Sequence, residues 1–364
     1  MKAQLASVTA ALLFAALAVP AQTIDLRLSV KVIVHPTSGN RPVNITDDLL
    51  YTSITNANEW MASYWRGYRY RITEITNIGG PLQGGTNGPS WWYYVANTLE
   101  LDIRNQPLWG QFQAATKTNS LYLLRSNAVN VYVYLPEVTG GGGGFPVPPN
   151  EIADIAGVAF VNPGPWWVVH EVGHFFGLNH THGGCGCPGT GGCTLTTNGY
   201  WVGDDNLTDT LKEAAGDFCF TNINQLTLAN FNKLFANCTL AEQTLAINTF
   251  SNVMSYHDPA NKNTTQTRMT ELQADLLADT ASQPAASGGR GQFTSGRTLF
   301  ISGAGSDASS GRSTAPLRTV GRGVTNSAAG DILLLRPGSY DEQFTINKPV
   351  TLRATRDGWA TIGQ

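Results

Sequence analysis

The stretch HEVGHFFGLNHTHGGCGC, His170 to Cys187, holds four histidines, a glutamate and two cysteines. All are residue types that can bind zinc, yet a tetrahedral zinc site takes at most four protein ligands. Spacing sorts them. His170 and His174 stand one turn apart on a helix, which places both imidazoles on one face and within reach of one metal. Glu171 follows the first histidine and so points beside the metal, where a base can take a proton from metal-bound water. Gly177 ends the helix, because glycine accepts the left-handed conformation found just past a helix C-terminus. The turn it permits can bring His180 back to the same metal. The pattern H-E-x-x-H-x-x-G-x-x-H thus offers three nitrogen ligands and leaves the fourth position to water. That is the catalytic arrangement, whereas four protein ligands make a structural site.

Two plainer readings compete with this one. The histidines are incidental surface residues in the first, but most of the chain's 6 histidines fall between His170 and His257. In the second, His182, Cys185 or Cys187 supplies a further ligand, and a thiolate closes the shell around a structural zinc. Export favours disulfides over thiolates, and the triad already has its spacing. His257 reads as a surface histidine.

The elements that must position these residues follow from periodicity. Leu26 to Val34 alternates and is rich in β-branched residues, which predicts a strand. Thr46 to Trp65 has helical spacing, with Thr46 and Asp47 as caps. Tyr68 to Ile78 and Val129 to Leu135 predict two further strands, and Leu108 to Ser120 a helix. A Gly- and Trp-rich loop is expected after Ile78. Thr139 to Asn150, TGGGGGFPVPPN, can only be loop. Ile152 to Val161 predicts a short strand and Pro165 to Phe176 the helix that carries His170 and His174. Strands alternating with helices argue for an α/β layer.

Bulk properties bound the rest. The chain has 364 residues, enough for two domains, and only 13% are charged. Abundant Gly, Asn, Ser and Thr fit an extracellular protein. A net charge of -3 gives no basic footprint for nucleic acid. Lys2, the apolar run Leu12 to Val19 and the small residues of Val19-Pro20-Ala21 predict a signal peptide over 1–21, hence secretion. A membrane anchor is the alternative, but the run is short for a span. No later stretch is long and apolar enough to span a bilayer. The 5 cysteines all lie between Cys185 and Cys238, so disulfides are expected with at least one thiol left over.

The histidine pattern resembles that of the metzincin zinc peptidases. Asn252-Val253-Met254-Ser255-Tyr256 is similar to their Met-turn, in which a methionine lies beneath the metal histidines. Tyr256 matches a position from which some metzincins present a hydroxyl to the metal and the reacting carbonyl. Further details are similar to the pappalysin-like members: IAGVAF before the helix, GGC after the third histidine, Gly203-Asp204 with Asp209-Thr210, and Arg268 to Gln273 opening a last helix. Two features depart from the family: Leu211 stands where proline often follows Asp-Thr, and GCPGTGGC, Gly186 to Cys193, is an unusual insertion.

The resemblance covers roughly Leu26 to Ala281. It implies a metzincin-type α/β (α+β) catalytic domain over 22–281, its upper part reaching to about 177. A mixed twisted sheet would lie above the active-site helix, and an edge strand, Ala153 to Phe160, would pair with extended protein or peptide substrate. Zn2+ on His170, His174 and His180, Glu171 as base, Tyr256 as helper and Met254 beneath the site complete the picture. Ca2+ is a family-level expectation, with Asp204, Asp205 and Asp209 as candidate ligands.

Ser282 to Arg297 reads as a linker. Beyond it, over 298–364, short period-2 segments are expected at Ile332–Leu335, Phe344–Ile346, Val350–Arg353 and Ala360–Ile362, separated by turns. They resemble the opening coils of right-handed parallel β-helices, small all-β units that often bind polysaccharide or serve as stalks. The rival to a secreted zinc endopeptidase is therefore a non-enzymatic surface or adhesion protein that binds glycan or matrix. Glu171 separates the two, since a binding module has no use for a base beside zinc.

Overall fold

The structure is a computed structural model that describes residues 23–42, 45–64, 66–79, 88–99, 101, 107–133, 158–160, 165–181, 194–195, 201–202, 205–210, 239–255, 268–284, 287, 289–355 and 359–363. The expected signal segment, all five cysteines, His182, Asp204, Tyr256 and His257 lie outside the described residues.

Strand β1 (Ile24–Ile33) forms the spine. Its period-2 pattern sends Ile24, Leu26, Leu28, Val30 and Val32 into the main core. Ile33 belongs to a second core on the opposite face, with Trp92, Phe112, Tyr122 and Tyr132. Helix α1 (Asp47–Ala62) starts where Thr46 caps it, its hydroxyl accepting from the Leu49 amide at 3.1 Å. Strands β2 (Tyr68–Ile78), β3 (Val129–Val133) and β4 (Val158–Phe160) complete a sheet in the order β2-β1-β3-β4.

The expected mixed sheet is corrected here: each of the described pairings in it is parallel. The reason is connectivity. Parallel neighbours need crossover segments, and α1 lies between β1 and β2 while α2 (Pro89–Asn97) and α3 (Leu108–Thr118) lie between β2 and β3. Helix α2 occupies part of the stretch expected as loop. Its sequence, PSWWYYVAN, has weak intrinsic helix propensity, but burial of Trp92 edge-on against Phe112 at 5.3 Å outweighs it.

The Lys31 side chain is fully buried on the face of β1 opposite the main core. Its ammonium donates to the Ser29 hydroxyl at 2.6 Å, and burial pushes its pKa down to about 7. In the unfolded chain that pKa returns to the ordinary range near ~10.4. Between these values the unfolded state holds a proton that the folded state has released. Stability should therefore rise as pH goes from about 7 toward 10, on the order of 1.4 kcal/mol per pH unit in mid-window. Urea midpoints measured across that range should climb for the wild type and flatten for Lys31→Met; an equal slope in both would refute the assignment.

After α4 (Pro165–Phe175) come the short strands β5 (Thr194–Leu195) and β6 (Trp201–Val202), then helices α5 (Leu240–Phe250) and α6 (Glu271–Ser282). Strands β7 (Thr298–Ile301), β8 (Ile332–Leu335) and β10 (Thr351–Ala354) form a parallel sheet, β10-β8-β7. Strands β9 (Gly338–Tyr340) and β11 (Ala360–Ile362) pair parallel beside it, and helix α7 (Val320–Asn326) packs against β7 and β8. Phe344–Ile346, expected as a strand, is not one.

The linker expectation for Ser282 to Arg297 also needs correction. Arg290, Phe293 and Thr294 are buried, and Phe293, Phe300, Ile332 and Leu334 belong to the same core as Ile24 and Leu26. The Asp25 amide donates to the Ser295 hydroxyl at 2.8 Å, and the Ser295 amide returns a bond to the Asp25 carbonyl at 3.0 Å. Gly67, at φ +76, lies so near Ile332 that a Cβ there would sit 2.5 Å from its Cδ1. Composition made this stretch look like a spacer, but small residues also permit close packing. None of the described helices is long and apolar enough to cross a membrane.

Candidate metal centre

Helix α4 carries His170 and His174 on one face and inserts Val168, Val169, Val172 and Phe175 into the main core. It ends in a Schellman motif. Gly177 takes φ +93, its amide donates to the His174 carbonyl at 2.9 Å, and the Leu178 amide reaches the Gly173 carbonyl at 3.0 Å. This reversal sends the chain back toward the helix and places His180 beside the other two histidines.

The three Nε2 atoms form a tight triangle: 3.2 Å from His170 to His174, 3.0 Å from His174 to His180, and 3.2 Å from His180 to His170. Among the described residues, this trio is the group with metal-ligand geometry. A tetrahedral zinc with bonds of about 2.0–2.1 Å sets its nitrogen ligands roughly 3.3 Å apart, so the triangle fits that ion closely. The tautomers fit too. His170 Nδ1 donates to the Val253 carbonyl and His174 Nδ1 to the Leu178 carbonyl, both at 2.7 Å. A carbonyl only accepts, so each Nδ1 carries the proton and each Nε2 presents a lone pair inward. Lone pairs converging at this distance repel one another unless a cation sits between them.

Glu171 is buried at 2% exposure on the same helix, next to His170. Met254 is fully buried in a turn over Asn252–Ser255, and a Cβ on Gly173 would lie 3.3 Å from its sulfur. Thr181, next to His180, donates its amide to the Met254 carbonyl at 3.1 Å. The turn therefore touches His170 and the immediate neighbours of His174 and His180.

The described residues give calcium no support. Both carboxylate oxygens of Asp205 accept hydrogen bonds, from Leu207, Thr210 and Gln273, and one Asp209 oxygen accepts from the Leu272 amide. Sequence reasoning passed over the roles of Gly173, Asn252 and Gln273. The findable signal was the capping box Thr270-x-x-Gln273, in which both reciprocal bonds form. The carbonyls of Val253 and Leu178 left no signal, because every residue has one.

A family model described as "Protein of unknown function (DUF1565)" matches residues 303–358. No curated protein matches the chain. Among solved structures, the chain is similar to mature mirolysin of Tannerella forsythia in complex with a cleaved peptide. The two share 16% identity over 75% of this chain and 96% of that one, with a TM-score of 0.42. Mirolysin in complex with compound 9 follows at 15% identity, covering 73% and 96%, with a TM-score of 0.38. A chain of a chaperone-substrate complex shares 12% identity over 51% of this chain and 28% of that one, with a TM-score of 0.25. These are distant likenesses, so the functional reading rests on the histidine centre itself.

Proposed function

We propose that this protein is a secreted zinc-dependent endopeptidase of the metzincin type, similar to the pappalysins. The observation that carries the reading is the triangle of three Nε2 atoms, with Glu171 on the helix that bears two of them. His170, His174 and His180 would hold the zinc and leave one position open. Zinc in such a site supplies a Lewis acid and an acidified water.

The chain's own residues do the rest. Glu171 accepts the proton of the attacking water, whose oxygen bonds to the peptide carbonyl carbon. As the C–N bond breaks, Glu171 passes that proton to the departing amine. The Val253 and Leu178 carbonyls hold two imidazoles in register throughout. Extended peptide would lie along β4, which stands at the end of the described sheet with β3 on one side. Tyr256 is assigned to the oxyanion through the family resemblance. The C-terminal strands, stacked parallel in two rows, are consistent with β-helix coils, and polysaccharide contact there stays a proposal.

The test is a casein-type hydrolysis assay on the secreted protein. Activity should vanish with a chelator and return with stoichiometric Zn2+. Stoichiometric zinc without any cleavage would overturn the peptidase reading in favour of the adhesion protein, and cleavage indifferent to chelation would overturn the metal reading.

A further inference from the structure

A chain of buried hydrogen bonds runs from the histidine centre to helix α6. His170 Nδ1 meets the Val253 carbonyl at 2.7 Å. The turn that aims this carbonyl is held by Asn252, whose Oδ1 accepts from the Met254 amide at 2.8 Å. Asn252 Nδ2 in turn donates to Gln273 Oε1 at 2.8 Å, and the Thr270 amide donates to the same oxygen at 3.0 Å. The other end of the Gln273 amide, Nε2, donates to Asp205 Oδ2 at 3.3 Å. Asp205 Oδ1 closes its own loop by accepting from the Leu207 amide at 3.0 Å and the Thr210 hydroxyl at 2.6 Å.

Asn252 is fully buried, Gln273 is 1% exposed and Asp205 5%. At that depth water does not replace a lost partner, so each amide orientation is fixed by the next. Gln273 is the junction. One side chain ties together the start of α6, the turn beneath the histidines and the loop at 205–210. It caps a helix as well, but the capping box accounts only for its bond to Thr270. The bond to Asn252 reaches the turn that holds His170, and the bond to Asp205 reaches the loop at 205–210; neither belongs to the capping box.

We infer that Gln273 is a positioning residue for the metal centre, setting through Asn252 the direction in which the Val253 carbonyl holds His170. The inference rests on reading His170, His174 and His180 as metal ligands. It does not require that the bound metal cleave peptides. Its chemical content is specific. With Gln273 in place, Asn252 holds its Oδ1 on the Met254 amide and its Nδ2 on Gln273 Oε1; without it, the buried Nδ2 loses that acceptor and the turn loses one of the two bonds that orient the Asn252 amide.

The test compares Gln273→Met, Gln273→Glu and Leu277→Ala in the full chain at pH 7. Leu277 fills the core from the same helix without joining the network, so its variant reports helix destabilisation alone. Zinc affinity is read by competition with a chromophoric chelator, and the centre's geometry by the visible spectrum of the Co2+-substituted protein. Gln273→Met should bind zinc about tenfold more weakly, the lower end of what loss of an outer-shell partner does, and should shift the Co2+ bands. Gln273→Glu should fall less, because a carboxyl facing Asp205 retains a shared proton and still accepts from Asn252. Leu277→Ala should lower the melting temperature but leave affinity and spectrum unchanged. A Gln273→Met protein with wild-type zinc affinity and spectrum would overturn the inference. Failure of the wild type to bind zinc would overturn it together with the metal reading. Tight zinc binding without peptide cleavage would sink the peptidase reading alone.

Discussion

Glu171→Gln should bind zinc as tightly as the wild type and hydrolyse peptide about 10²–10⁴-fold more slowly. The exchange keeps the shape and hydrogen-bonding reach of the side chain but removes its ability to take a proton at neutral pH. Glu171 is buried beside His170, so the amide replaces the carboxylate in a dry site where no other water-borne base substitutes easily. The three Nε2 atoms, and the carbonyls that hold His170 and His174 through Nδ1, belong to other residues, which is why the metal stays. Metal content and initial rates on a casein-type substrate measure both halves of the expectation. A variant that retains its full rate would remove Glu171 from the reaction; one that loses zinc together with activity would make it part of the metal's support instead.

Phe293→Ala should destabilise the protein by about 3–5 kcal/mol, the cost of emptying a fully buried aromatic site. Phe293 meets Phe175 edge-on at 5.0 Å, and Phe175 is the last residue of the helix that bears His170 and His174. It lies in the stretch between the two halves of the chain, so the same variant tests whether those halves share one core. The whole of residues 23–363 should unfold in one transition, seen alike by tryptophan fluorescence and by release of bound zinc. A chain stopped at Gln283 should fail to fold, since it loses Phe293, Phe300, Ile332 and Leu334 from around β1. Two separated transitions, or a stable zinc-binding protein ending at Gln283, would show that the C-terminal strands are an independent unit.

Much of the upper fold was legible in sequence because its elements carry strong periodic signals. Tyr68 to Ile78 was expected as a strand and is one, and the Thr46 cap and the helix beginning at Pro165 are where the sequence puts them. Helix α2 was not legible, because four consecutive aromatic residues have no helical periodicity and gain their helix from burial. Strands β7 and β9 were missed for a related reason. Strand β7 adjoins the stretch that reads as a linker, β9 opens on a glycine that reads as turn, and their pairing partners lie far along the chain. The parallel sense of the main sheet, against the mixed one expected, is a property of connections that single segments do not report.

By itself, the sequence determined which three histidines come together. Histidines one turn apart, a glutamate after the first and a glycine where the helix must stop form a local pattern, and local geometry follows from local residues. Only the tertiary structure decided how that centre is held. The Val253 and Leu178 carbonyls orient His170 and His174, Gln273 lies about a hundred residues further on, and Phe293 packs beneath α4 from a stretch that looks like a spacer. Backbone carbonyls are the same at every residue, and long-range packing depends on which segments meet, so neither leaves a mark in the order of amino acids.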